Sequence, residues 1–204
     1  SSEENCQRCV YELGASKKND ISYLVNICEP KMTALLNVSE AHMETFGSFE
    51  TLINTKEEIF SHSNTDQVVL NRDDERFSRW KKMNKHKKIT AISVFSDADY
   101  FIEKTDDEFF YISTPRGKFE LIKKNSSEIL AINLLFSIAL AMEAGADIQS
   151  VKDGIYSFSG VQGRFFSFIS SNKSIVIDDS YNANPESMKS SLNQIKHFKK
   201  TKIF

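Results

Sequence analysis

The spacing of apolar and polar positions changes period repeatedly along the 204 residues, and that alternation predicts an α/β domain. Residues 9–13 read as a short apolar strand ending at Gly14, and Asn19 or Asp20 as the cap of a helix running through Ile27. Residues 32–38 form a nearly unbroken apolar run, as expected of a strand buried on both faces. A loop over 39–48 leads into a helix over 49–62. Strands are expected at 67–71 and 89–95, flanking a charged helix that starts at Asp73-Asp74-Glu75 and ends near Lys85. Residues 100–103, 109–113 and 118–122 read as hairpin-type strands, the last two joined by Thr114-Pro115-Arg116-Gly117.

Residues 128–144 are apolar on nearly every side, which predicts a buried helix ended by Gly145. Asp147 caps a second helix through Phe158. Beyond Gly160 the character changes, with strands at 165–169 and 174–177, a helix at 185–198 and a new strand from Lys202. A domain boundary is placed at Gly160–Gly163, giving a first domain over 1–160 and the beginning of a second over 161–204.

Composition narrows the class. Apolar residues make up 40% and charged residues 26%, and sixteen Phe supply an aromatic core. The net charge of −2 gives no reason to expect nucleic acid as a partner. The run Lys81, Lys82, Lys85, Lys87 and Lys88 reads as a solvated face. Cys6, Cys9 and Cys28 form neither a zinc set nor an even disulfide framework, which fits a reducing cytoplasm. No apolar run reaches the length of a membrane span, so no membrane partner is expected. The chain starts without Met and stops at the opening of a strand, and both ends are read as cut.

Candidate chemistry gathers where strands end, because doubly wound sheets bind ligands outside the carboxyl ends of their strands. Glu12 closes the first expected strand, Asn37 lies near the end of the second, and His42 sits in the loop beyond. A carboxylate and an imidazole there suit a divalent ion, or else are a surface Glu and a loop-capping His. Lys56 falls in the middle of an apolar stripe of Leu52, Ile53, Ile59 and Phe60, with Asn54, Glu57 and Glu58 expected to face elsewhere. It either snorkels outward or is held as a reactive amine. Asn133 on the buried helix either bonds core backbone or reads an adenine edge. Arg164 at the domain junction either reaches a phosphate or makes a surface ion pair. Asp178, Asp179 and Tyr181 end a strand, where a carboxylate suits ribose and a ring suits a nucleoside face, or where a solvated turn simply forms. Asn184-Pro185 is a good helix start in its own right.

Taken together these segments resemble the Mur ligase family. Glu12-Leu13-Gly14-Ala15 with Asn19-Asp20-Ile21 is similar to its E-[LM]-G-A-x-x-x-G-[DE]-I segment, Asn19 standing where the pattern has its second Gly. Asn37-Val38-Ser39-Glu40-Ala41-His42-Met43 followed by Phe46-Gly47-Ser48 resembles N-[VI]-x-x-A-H-[LM]-x-x-F-G-S. Thr55-Lys56-Glu57-Glu58-Ile59-Phe60 resembles A-K-x-E-I-[FL], and Leu70-Asn71-Arg72-Asp73-Asp74 matches L-N-x-D-D. Gly163-Arg164 matches G-R, and 178–188 matches D-D-S-Y-N-A-N-P-x-S-M, the most specific of these runs. It points to the members that add D-alanyl-D-alanine.

The resemblance implies a mostly parallel sheet flanked by helices, followed by the start of a Rossmann-like C-terminal domain. It implies ATP and Mg2+, with Glu12 and His42 as metal ligands and Lys56 as a carbamylated lysine that joins them in the catalytic set. Asn133, Arg164, Asp179 and Tyr181 would hold the nucleotide, and Asn182 and Asn184 the substrate. The implied partners are UDP-N-acetylmuramoyl-tripeptide and D-alanyl-D-alanine, in a cytoplasmic monomer that makes peptidoglycan precursor through an acyl phosphate. Three departures stand out: the G-x-x-G-K-[ST] phosphate loop is missing, most of the C-terminal domain is missing, and H-N-x-x-N keeps only its last residue, Asn133. The chain alone is therefore expected to be inactive. Another Mur ligase, a folylpolyglutamate synthetase-like enzyme and a non-catalytic nucleotide-binding module are the competing readings.

Overall fold

The computed structural model describes residues 7–39, 43–123, 128–181 and 185–195. In chain order these form α1 (Asp20–Cys28), β1 (Met32–Leu35), α2 (Met43–Phe46), α3 (Phe49–Glu57) and a 3-10 turn at Glu58–Phe60. There follow β2 (Gln67–Asn71), α4 (Phe77–Met83), β3 (Lys88–Ser93), β4 (Tyr100–Thr105), β5 (Phe109–Thr114) and β6 (Gly117–Ile122). The remaining elements are α5 (Glu128–Glu143), α6 (Ile148–Ser157), β7 (Phe166–Ile169), β8 (Ile175–Asp178) and α7 (Pro185–Ile195).

Strands β1 to β6 make one sheet in sequence order, parallel from β1 to β4 and antiparallel from β4 to β6. This is the α/β class expected. The central run Val68-Val69-Leu70 has no exposed surface, because α-helices cover both faces there. On one face α5 and α6 pack against Val69, Ile92, Tyr100, Ile102, Phe110, Ile112 and Leu121. On the other, α3 and α4 enclose Val68 and Leu70 with Leu52, Ile53 and Trp80. The antiparallel strand β5 alternates between buried and half-buried positions, as a sheet with one wet face should.

Helix α5 is anchored at its C-terminal end by several bonds. Gly145 takes a positive φ of 110°, its N–H donates to Met142 O and the Ala146 N–H to Ala141 O, which closes the helix with a left-handed cap. Arg116 from the β5–β6 turn donates to the carbonyls of Met142 and Ala146, and Arg8 donates to that of Ala144 at 3.3 Å. Glu143 receives Gln67 Nε2 at 2.6 Å, Lys88 Nζ at 2.5 Å and the Tyr100 hydroxyl at 2.9 Å. Gln67 and Lys88 open β2 and β3, so α5 runs antiparallel to the strands and its first turns lie toward their carboxyl ends.

Several element boundaries differ from the sequence reading. Residues 9–13 are not a strand: no described strand pairs with them, and Val10 and Tyr11 are 89% and 61% exposed. A parallel strand exists only through its neighbour, so apolar composition alone does not make one. The second strand stops at Leu35. The helix expected over 49–62 tightens to 3-10 geometry after Glu57. The helix expected from Asp73 begins at Phe77, because the Asn71 and Asp74 side chains accept from nearby N–H groups and hold 71–76 as a turn. The helix expected to reach residue 198 is described to Ile195, and the strand from Lys202 lies outside the described residues. The lysine run is exposed at Lys81, Lys82 and Lys85, as expected of a solvated face, while Lys87 donates to Phe60 O and Lys88 to Glu143.

Two predictions follow from the anchoring of α5. Gly145→Ala places a Cβ at a positive φ and is expected to lower unfolding free energy by about 1–2 kcal/mol in urea titration. Burial pushes the Glu143 carboxyl up, but the bonds from Lys88, Gln67 and Tyr100 outweigh it and hold the group below the usual carboxylate range. Such a group contributes stability above its unfolded pKa of about 4.3, and that contribution is lost as pH falls through the lower folded value. The loss of stability below about pH 4.3 should therefore be shallower in Glu143→Gln than in the parent; parallel curves would show that the network contributes nothing.

Candidate functional site

A densely bonded part of the helical layer surrounds Lys56. Helix α3 begins at Ser48, whose hydroxyl accepts from the Thr51 N–H at 3.1 Å. Arg79 on α4 donates to Glu50 at 2.8 Å, Asn54 at 2.6 Å and Glu57 at 2.7 Å. The Trp80 indole donates to the other Glu57 oxygen at 2.9 Å. Glu57 was expected to face away from the core, but it is only 5% exposed: Arg79 neutralises it and the buried indole completes its bonding. Helical periodicity could not reveal this, because the partners lie on another helix.

Around Lys56 every neighbour is committed. The Thr55 hydroxyl donates to Thr51 O, Asn54 and Glu57 bond Arg79, and Glu58 bonds the start of α1. The Lys56 amine itself is half-buried and makes no hydrogen bond or ion pair to another described residue. It sits in the last helical turn, where the macrodipole favours a cation.

The segment bearing Glu12 reaches the α3 cluster three residues downstream, at Ala15. Ala15 packs on the same cluster as Leu52 and Ile53, and α1 packs against α3 and the 3-10 turn. Glu12 is exposed, and its carboxylate bonds no other described residue. His42 lies outside the described residues. Among those described, no three His, Cys, Asp or Glu side chains converge as a metal group. Glu12 offers an uncommitted carboxylate oxygen, the donor type that a hard divalent ion takes.

Residues 70–74 hold the neighbouring strand ends. Asp73 accepts the Ser93 hydroxyl at 2.5 Å and the Val94 N–H at 2.6 Å, stitching the end of β2 to that of β3. Asp74 binds Arg76 at 2.9 Å, and the Arg76 guanidinium lies 5.1 Å from the Phe49 ring at the start of α3. Paired carboxylates after an apolar strand were visible in the sequence, but their partners were not.

Asn133 was placed inside a buried helix, yet its side chain is exposed. The helix is covered on one side by the sheet, and Asn133 points to the other. It lies ten residues before Glu143, about 15 Å up the helix toward the carboxyl edge. Asn37 is likewise exposed, two residues past the end of β1.

The remaining candidates gather near β7 and β8, which form their own antiparallel sheet. The Arg164 guanidinium lies 4.3 Å from the Tyr181 ring centroid, a cation–π contact in place of the ion pair considered from sequence. Gly163 has φ 78°, and the Tyr181 N–H donates to its carbonyl at 2.9 Å. An added Cβ there would lie 3.2 Å from Tyr181 N and Cβ, so glycine permits this approach. Asp179 accepts the Phe165 N–H at 2.9 Å and the Ser191 hydroxyl, bracing Phe165 at the unfavourable φ of 50°. The Ser180 hydroxyl and N–H hold the Asp178 carboxyl below its usual range. The structure thus brings Arg164, Asp179 and Tyr181 together, while Asn182 and Asn184 lie outside the described residues.

With this geometry in hand, comparison with known proteins places the chain. The model of the Mur ligase middle domain matches residues 1–141. The chain belongs to that family. It is 30% identical over 195 residues to the UDP-N-acetylmuramoyl-tripeptide–D-alanyl-D-alanine ligase of Haemophilus influenzae, covering 93% of this chain and 42% of the relative. The Escherichia coli protein of the same name is 29% identical over 88% of this chain and 41% of its own length. The chain therefore spans about two fifths of the curated relatives it matches. A MurF ligase from Thermotoga maritima, solved in complex with ADP, superposes with a TM-score of 0.75 at 25% identity, covering 91% of this chain and 44% of that one. MurF from Acinetobacter baumannii shares the fold with a TM-score of 0.81 at 23% identity, over 90% of this chain and 41% of that one. No helix among the described residues is long and apolar enough to cross a membrane.

One departure from the family pattern finds its cause here. Asn19 has φ 71°, a left-handed conformation that glycine adopts freely and asparagine tolerates better than other residues. Asn19→Gly is expected to leave stability within about 0.5 kcal/mol of the parent, and Asn19→Ala to cost about 1 kcal/mol, read from urea midpoints. Equal midpoints for the two variants would sink this account.

Proposed function

We propose that this chain is the central part of an ATP-dependent ligase that joins D-alanyl-D-alanine to UDP-N-acetylmuramoyl-tripeptide. The observation that carries the reading is the uncommitted Lys56 amine on a helix whose other polar side chains are tied down. A lysine held that way can react with carbon dioxide to give a carbamate, a second oxygen donor beside Glu12 and His42. The names of the relatives, and the run over 178–188, support the choice of D-alanyl-D-alanine within the family.

In this reading residues 1–160 belong to the ATP-handling domain and 161–204 begin the next, a division supported by the separate β7–β8 sheet. Glu12, His42 and carbamylated Lys56 would hold Mg2+, which when bound offsets the charge of the phosphates. Arg164 and Tyr181 would hold the nucleotide by guanidinium and ring face, Asp179 would keep that pair in place or meet the ribose, and Asn133 would reach it from α5. Asn182 and Asn184 would contact the substrate. The tripeptide carboxylate takes the terminal phosphoryl group of ATP, leaving ADP and an acyl phosphate. The D-alanyl-D-alanine amine attacks that carbonyl, loses a proton and expels phosphate as the peptide bond forms. The free thiol of Cys28 supports a reducing, cytoplasmic setting.

The test is phosphate release by the intact gene product with ATP, magnesium, UDP-muramyl-tripeptide and D-alanyl-D-alanine. Release should require both acceptor and dipeptide, and Lys56→Ala should reduce kcat by roughly 10²-fold or more. Turnover without the dipeptide, or a Lys56→Ala variant as active as the parent, would overturn the assignment.

A further inference from the structure

Glu58 belongs to the same Thr55–Phe60 segment as Lys56. Its carboxylate reaches 36–39 residues back along the chain. Oε1 accepts the Asn19 N–H at 2.9 Å, and Oε2 accepts the Ser22 N–H at 3.1 Å. These are donors at the N-terminus of α1, where the residue at the cap position, Asn19, makes no side-chain cap of its own. A carboxylate from a different element therefore caps α1 and meets its positive dipole end.

The loop just before α1 is equally constrained. Asp20 accepts the N–H groups of Ser16 at 2.9 Å and Lys17 at 3.0 Å, and those bonds hold its carboxyl below the usual range. The Ser22 hydroxyl closes back on Asn19 O at 3.0 Å. Upstream of this closed loop, Ala15 is fixed in the α3 cluster, three residues after Glu12. Downstream, the carboxylate that holds the loop stands two residues after Lys56. One unbroken path of short bonds and packing thus connects the Glu12 segment to the lysine helix through Glu58.

We propose that Glu58 is a positioning residue that fixes the Glu12 segment against α3, so that Glu12 and Lys56 address one divalent cation. It acts through the Asn19 and Ser22 amides and does not touch the cation. The inference rests on the ligase reading, since it needs Glu12 and Lys56 to share a metal. Charge and length both matter: a glutamine can accept one amide but turns an N–H toward the other, and an aspartate falls a methylene short.

Three readouts on the intact gene product separate the possibilities. The first is hydrogen exchange of the Asn19 and Ser22 amides, expected to rise about tenfold or more in Glu58→Ala. The second, independent of turnover, is the magnesium concentration that supports half-maximal ADP binding by calorimetry. It should rise about 10–100-fold in Glu58→Ala, less in Glu58→Gln, and not at all in Asp106→Ala, which loses the β4–β5 turn bonds to the Glu108 and Phe109 N–H groups away from the site. The third is KM for D-alanyl-D-alanine, expected to stay within about twofold while the magnesium requirement moves. Faster exchange with an unmoved magnesium midpoint would make Glu58 a helix cap and nothing more, and would overturn the proposal alone. A parent protein whose ADP binding ignores magnesium would overturn the ligase reading along with it.

Discussion

A parallel sheet survives only when both faces are dry, and in this chain one face depends on the fit of α5. That helix carries no polar stripe strong enough to orient it, so apolar burial alone would leave its rotation and axial position loosely set. Its C-terminal anchorage settles both. The left-handed cap at Gly145, the two arginines on its last carbonyls and the three donors on Glu143 lock the helix to the amino ends of β2, β3 and β4. With that end pinned, the other end is carried to the carboxyl edge, where ligands of such sheets bind. The polar network thus lies at the far end of α5 from Asn133 yet determines where Asn133 stands.

The opposite face solves the same problem with charge. Helix α3 is short, and its apolar stripe is interrupted by polar residues, so burial of Leu52 and Ile53 alone would hold it weakly. Arg79 bonds three of its side chains and Trp80 a buried carboxylate, so α3 and α4 move as one unit. A buried charge left without its partner is costly, which makes this clamp specific rather than merely sticky. The clamp leaves the Lys56 amine as the polar side chain of α3 that bonds no other described residue.

Much of the layout was legible in the sequence, and the exceptions share a cause. The strand 67–71, the helix after Asp147 and the turn at Pro115 depend on local periodicity or local capping, and each appears where expected. Residues 9–13, Glu57 and Asn133 depend on what lies across from them, which one chain of letters does not display. The Glu58 cap is the extreme case, since its partners sit 36 and 39 positions away. The motif at 178–188 was the most specific by resemblance, but the commitment of Asp179 to Phe165 and Ser191 follows only from the folded junction.

Trp80 is the only tryptophan in the sequence, and its indole is fully buried against the carboxylate beside Lys56. The intrinsic indole emission of this chain is therefore a built-in optical probe of one location, the joint between α3 and α4. Water entering that joint would red-shift the emission, and a charge change at Glu57 would alter its quenching. The same bond that steadies the lysine helix also makes its state visible without a label.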